Sequence, residues 1–521
     1  MKTLQTFKGE GETKAWGTGY DVLVFSALMT VFAICYMPIL TFFPLGMDSE
    51  IAALRTDATP WITQGRWLNY AVEAFLFPYS VTVYFPFFVF GMCLAGSYML
   101  LVRALRMEVA DWKNYVLFPL FACFPTWIFM AEFPSNLPSV GFGALLASGA
   151  LYVVADMLEG NWWQNATWKE RLQKTALVCG MCTPALGAYQ SFVFFFIVGG
   201  LFYLIINFGK AATLRIVWPK LGLLAVMTVL SVVAYYIIWK LAMAVTGTEP
   251  AYVQQFVEPM KTVLRPDLVI INILKEFQRF YFGGYRIYGV TAWGLAALML
   301  SGMAIAFQHI KANYVLKKTW IFVFVVALFA PFGMTLLSGG SMPFRSLMAL
   351  PLAVWVCAHM ALAWSAGCWR KANYVFAVIA CVQLLYTMSM FQSAKHLASE
   401  HDKLLAVQIY ERIAETAEPF DTSKPQKIDI YGGVPFATVY PTAKHSVAQA
   451  SFFGWDGGYI RRIIPYMTLR GYTNFELLPL EQRLALIPEY GTMPVWPALG
   501  SVKKVGDVIL VKLSNKPGLY Q

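Results

Sequence analysis

Apolar runs of about 17–25 residues, separated by short polar stretches, recur from about residue 20 to about residue 392. A run of that length crosses the hydrocarbon of a bilayer as a helix, because only a helix satisfies every backbone amide within its own segment. The pattern predicts about eleven such helices, over 20–43, 80–103, 114–131, 137–158, 174–188, 190–208, 221–246, 287–308, 319–337, 345–366 and 374–392. The fifth is short, and 175–208 reads either as a tight pair or as one broken helix. The pair keeps the loop charges on consistent sides. Beyond Gln392 the pattern becomes that of a soluble chain. An amphipathic helix is expected over Lys395–Ala417, with strands over Lys427–Tyr431 and Val508–Leu513. The chain therefore divides into a polytopic α-helical membrane part, residues 1–392, and a small soluble α/β domain, residues 393–521.

Composition supports that class. The 521 residues are 58% hydrophobic and 13% charged, against about 25% charged in soluble chains. The net charge of +11 reads as topology, with no nucleic-acid partner implied. Lys2, Lys8 and Lys14, then Arg103, Arg106 and Lys113, Lys169, Arg171 and Lys174, Lys210, Arg215 and Lys220, Lys311, Lys317 and Lys318, and Arg370 with Lys371 all fall on one side of the predicted bundle. This is the positive-inside pattern. It puts the N-terminus in the cytoplasm and Asp48 outside, and an odd number of spans puts 393–521 outside too. Met1–Gly19 is polar and the run after it exceeds a signal-peptide core, so no cleavable signal is expected. The eight cysteines lie in or beside apolar segments, which argues against a disulfide framework. Cys179 and Cys182 read as core residues, and the five histidines have no metal-ligand spacing.

Candidate chemistry clusters at the outer ends of the helices. Asp48-Ser49-Glu50 follows the first span directly, where a base beside a lipid-borne substrate would stand. The bland alternative is a solvated loop end. Residues Trp61–Phe77 carry a helical rhythm with Trp61, Trp67 and Tyr70, which predicts an outer-face surface helix containing Gln64-Gly65-Arg66-Trp67. Lys275, Arg279 and Arg286, with Tyr281, precede a span and suit either a lipid phosphate or ordinary headgroup anchoring. Arg345, in a glycine-rich outer turn, is a second candidate phosphate or sugar contact, since a charge at an apolar helix mouth is costly. Glu132 and Gln190 lie in outer turns and suit sugar hydroxyls, or simply satisfy those turns. Trp455, in Phe452-Phe453-Gly454-Trp455-Asp456-Gly457-Gly458-Tyr459 with Arg461 and Arg462 following, suits sugar stacking or packing onto the membrane part.

The stretch Asp48 to Leu68 (DSEIAALRTDATPWITQGRWL), an acidic pair after an outward first helix and then Q-G-R-W, resembles the bacterial Gtr-type glucosyltransferases. These are serotype-converting, O-antigen-modifying membrane enzymes of the GT-C superfamily, and the resemblance in plan covers the whole chain. It implies an inverting transfer of glucose from undecaprenyl-phosphate-glucose to a glycan acceptor, lipid-linked O-antigen or lipopolysaccharide. The reaction would occur on the outer face of the bacterial inner membrane. It assigns Asp48 and Glu50 as the catalytic acids. Arg66, Arg279 and Arg345 become the candidate phosphate ligands, and Glu132, Gln190, Tyr281 and Trp455 the candidate sugar or acceptor contacts. No cofactor is required, although a D-x-E pair can hold a divalent cation. The terminal domain is long for the family plan and suits a large acceptor.

Two other functions use related features. An O-antigen polymerase or ligase would share the lipid-phosphate site, but an acidic first loop is less expected of it. A lipid-linked sugar flippase would need ionisable groups deep in the helices, and Lys240 is nearly alone there.

Overall fold

The computed structural model describes residues 19–42, 45–109, 111–160, 162–209, 213–250, 259–340, 342–417, 420–441 and 443–519. The polar N-terminal stretch with Lys2, Lys8 and Lys14, Lys210, Ser341, and residues 251–258 lie outside them.

The protein is a mostly helical membrane protein with a small sheet in its C-terminal region. Among the described residues, seven helices are long and apolar enough to cross a membrane: Gly19–Phe42, Phe85–Ala104, Pro134–Leu158, Leu214–Thr246, Trp293–Asn313, Lys317–Leu337 and Gly367–Thr416. The other four expected spans take different forms. Residues 114–131 form three short helices, Lys113–Val116, Phe118–Ala122 and Pro125–Met130. Pro119 and Pro125 each open a new piece, because proline cannot donate to the preceding turn. Helix Trp168–Ala188 begins with a charged turn, and Phe192–Phe208 and Leu350–Trp364 are shorter apolar helices.

Ion pairs tie the bundle together at the end where the first helix starts. Arg103 pairs with Asp21 at 2.5 Å, with both side chains buried. Arg106 pairs with Asp156 and Glu159. Lys220 donates to the carbonyls of Leu158 and Gly160. The first helix is about 36 Å long at 1.5 Å per residue, so the acidic loop after it lies at the opposite end.

Two features correct the sequence reading at that end. The expected surface helix is broken into Pro60–Thr63, Trp67–Ala71 and a π-helical turn, Val72–Leu76. Gly65 sits between the first two pieces at φ +72°, a left-handed conformation that ends a helix. Trp61 is buried, where an interface aromatic was expected. In addition, one helix, Gly367–Thr416, runs straight through residues 392–395, where the two parts of the chain were expected to meet. At 1.5 Å per residue its length is about 75 Å, long enough to leave a bilayer and enter the C-terminal region.

In that region the strands β1 (Gln426–Tyr431), β2 (Phe475–Leu477), β3 (Val502–Val505) and β4 (Val508–Lys512) form one sheet in the order β2-β1-β4-β3. β1 is parallel to β2 and β4, and β3 is antiparallel to β4. Ile428, Ile430, Ile509 and Val511 pack with Leu405, Ala406, Ile409 and Ile413 of the long helix and with Ile460, Ile463, Ile464 and Met467 of helix Ile460–Leu469. The spacing 405, 406, 409, 413 is the i, i+4 stripe of a helix with one buried face. Met47, the neighbour of Asp48, is buried in this same core.

Candidate active site

The acidic loop is fixed from three directions. Gly46 accepts from the Ser49 amide at 3.0 Å, and its own amide donates to Ser49 Oγ at 3.1 Å. This tight turn puts Asp48 at φ +69°, a costly conformation for a residue with a Cβ. A Cβ on Gly46 would lie 2.1 Å from the Glu132 carbonyl oxygen and 3.3 Å from Lys395 Nζ, so the loop backbone seats directly on the Glu132 turn. Met47 anchors it into the C-terminal core. Arg462, from helix Ile460–Leu469, completes the fixation. Its Nη1 donates to Asp48 Oδ1 at 2.9 Å and to Glu50 Oε1 at 2.6 Å. Asp456 lies 3.7 Å from its Nε.

The two acids differ in environment. The Asp48 side chain is 52% exposed and that of Glu50 is fully buried. Glu50 Oε2 has no hydrogen-bond partner among the described residues. Burial pushes the Glu50 carboxyl up to about 7, although the Arg462 charge pulls the other way. Burial also works against the Arg462 charge, but Asp48 and Glu50 outweigh it and hold the guanidinium above its ordinary value.

Glu132 stands in the turn after helix Pro125–Met130 and is buried. Its carboxylate accepts from Ser446 Oγ and from the Val447 amide at 2.8 Å, both supplied by the C-terminal region. Burial pushes this group up to about 7 against those bonds and against the charges of Lys395 and Arg345. Arg345 rests its guanidinium 4.5 Å above the Phe133 ring. His445 packs 4.5 Å from Phe344, and burial, with Lys444 and Arg345 adding to it, pushes its imidazole down to about 4. Ala443 and Ala448 join the membrane core, and the Lys444 amide donates to the Arg286 carbonyl. Residues 443–448 thus reach down from the C-terminal region and cover Glu132.

The Q-G-R-W segment is clamped by the apex between two helices. Gln190 Nε2 donates to the Gln64 carbonyl at 2.7 Å, and Tyr235 Oη donates to the Gly65 carbonyl at 2.9 Å. Trp239 Nε1 donates to the Ile62 carbonyl at 2.7 Å. Arg66 then lies 4.4 Å over the Tyr189 ring, and its Nη1 reaches Asn136 Oδ1 at 3.4 Å, which also accepts from Asn69. Arg55 grips Glu73 with two nitrogens, and Trp61 Nε1 donates to the same carboxylate.

The turn 132–136 is therefore the hub. It brings Asp48, Glu50, Glu132, Arg345 and Arg66 to one end of the bundle. The other expected residues do other work. Gln190 holds loop backbone. Tyr281 is fully buried and donates to the Leu328 carbonyl at 2.9 Å. Trp455 packs against the C-terminal core. Arg279 lies further along, beside Glu276 and Lys444. Lys395 and Ser446 belong to the cluster but carried no sequence motif, and Arg462 stood out only as following the aromatic stretch 452–459.

These features define a membrane protein with a carboxylate-and-arginine site at one mouth of its helical bundle. A family model described as glucosyl transferase GtrII matches residues 37–362, and the chain belongs to that family. The matched stretch contains Asp48, Glu50, Arg66, Glu132 and Arg345 and ends before Lys395 and Arg462. No curated protein and no solved structure matches the chain.

Proposed function

We propose that the protein transfers a glucosyl residue, with inversion, from a polyprenyl-phosphate-linked donor such as undecaprenyl-phosphate-glucose to a hydroxyl of a cell-surface glycan. The site would face the periplasm from the bacterial inner membrane, with the N-terminus in the cytoplasm. The observation that carries the reading is the acidic pair at the bundle mouth, inside the stretch that matches a glucosyltransferase family.

In this reading the lipid tail lies among the apolar helices and the sugar reaches the mouth. Asp48, the half-exposed acid, takes the proton of the acceptor hydroxyl as that oxygen attacks the anomeric carbon. The bond from the anomeric carbon to the phosphate oxygen breaks, and polyprenyl phosphate leaves. Arginines near the leaving phosphate stabilise the charge that grows there, with Arg345, Arg66 and Arg279 the candidates. Glu50 and Arg462 hold Asp48 in place. A divalent cation is not needed, because guanidinium groups supply the positive charge at both ends of the reaction.

The test is transfer by purified protein, with labelled polyprenyl-phosphate-glucose compared with nucleotide-activated glucose and a lipid-linked or lipopolysaccharide acceptor. Transfer from the lipid donor alone is expected. Transfer from the nucleotide sugar, or from neither donor, would overturn the reading.

A further inference from the structure

The long helix Gly367–Thr416 carries two buried polar groups one turn apart at the bundle mouth. Lys395 is 6% exposed and Gln392 is 5% exposed. Neither Lys395 Nζ nor Gln392 Oε1 has a hydrogen-bond partner among the described residues. A buried ammonium without a partner is costly and calls for a counter-charge. Glu132 is the acid beside it, but its carboxylate accepts from Ser446 and Val447 and makes no hydrogen bond to Lys395 Nζ. Glu132 also faces Arg345. Lys444 and Arg279 stand just beyond, facing Glu276, which accepts from Thr335 at 3.0 Å. Four basic side chains thus surround two acids, and burial pushes both acids toward the neutral form and the Lys395 ammonium down to about 8. An anion arriving beside Lys395 favours its charged form, which has three N–H donors to give.

We propose that Lys395, together with Arg345, binds the phosphate of the lipid-linked donor, and that Glu132 holds the place of that phosphate when the site is empty. This rests on the reading of the protein as a lipid-phosphate-sugar transferase. A phosphodiester carries one negative charge and several acceptor oxygens, which matches an unpartnered ammonium beside a guanidinium. Lys395 also lies against the backbone of the acidic loop, since the Cβ position of Gly46 lies 3.3 Å from its Nζ. The leaving phosphate would then stand within reach of Asp48. Because residues 443–448 cover Glu132, the phosphate displaces the Ser446 and Val447 contacts as it binds.

The test is binding of polyprenyl phosphate, the product without sugar, against polyprenol, the same lipid without phosphate, to the full-length protein in detergent. Wild type is expected to prefer the phosphate. Lys395→Met is expected to lose about ten- to a hundredfold of that preference, and Lys395→Arg to keep most of it. Glu132→Gln is expected to bind the phosphate more tightly, a gain that a purely structural role for these residues would not produce. Wild-type preference retained in full by Lys395→Met would overturn the assignment of Lys395 and leave the transferase reading intact. Weaker binding by Glu132→Gln, with its fold preserved, would overturn the place-holding role. No preference in wild type would overturn both the assignment and the lipid-phosphate donor.

Discussion

Arg462 places Nη1 2.6 Å from Glu50 Oε1, although the two residues are 412 positions apart in the chain. The same nitrogen reaches Asp48, so one guanidinium of the C-terminal region holds both acids of the loop after the first helix. The candidate catalytic pair is complete only when the two ends of the chain meet.

Loss of Arg462 should therefore disable the site. Arg462→Met leaves a buried carboxyl, Glu50, with no cation and frees Asp48 from its position. Transfer is expected to fall at least about tenfold, the loss of one charge-assisted contact. Arg462→Lys is expected to restore part of it, since a point charge replaces the positive charge but not the planar fork. Turnover of the three proteins in one assay checks this, and full activity of Arg462→Met would refute it.

Stability should depend on pH through the buried acids. Glu50 and Glu132 each titrate at about 7 in the folded protein because burial disfavours their charge. In the unfolded chain a glutamate releases its proton near about 4.3. Between those values the folded state holds more protons than the unfolded state, so these groups favour folding at low pH and that contribution is lost as pH rises through about 7. The Tm of Glu132→Gln relative to wild type is thus expected to rise between about pH 5 and about pH 8. A difference that stays flat or falls would contradict it.

Gly65 should not tolerate a side chain. It has φ +72°, and a Cβ there would lie 2.5 Å from both Gln190 Nε2 and Tyr235 Oη. Gly65→Ala is expected to cost about 1–3 kcal/mol from backbone strain alone. The clash would also loosen the clamp that positions Arg66. Thermal unfolding in detergent checks the first effect and the KM for the lipid donor checks the second.

The sequence showed the acidic loop clearly, because charges at the end of an apolar run stand out against it. It also showed the change of pattern beyond Gln392. Pro119 and Pro125 were visible signals of the broken segment but lay inside an otherwise apolar run. Gly65 was the visible break in the expected surface helix. Arg462 and Lys395 were not legible as site residues, because each acquires its role only from a partner distant in sequence. Lys395 reads in isolation as the first residue of an amphipathic helix. Tyr281 and Gln190 were plausible by type and position, but the fold spends their polar atoms on backbone carbonyls. Strands β2 and β3, of three and four residues, were too short to show a period.

The most direct measurement is glucosyl transfer from labelled polyprenyl-phosphate-glucose by wild type, Asp48→Asn and Glu50→Gln, each first shown to be folded. Wild type is expected to transfer glucose and Asp48→Asn to transfer almost none. Glu50→Gln should keep a reduced rate, because it still packs beneath the loop. Asp48→Asn turning over as fast as wild type would contradict the account and move the base elsewhere in the cluster.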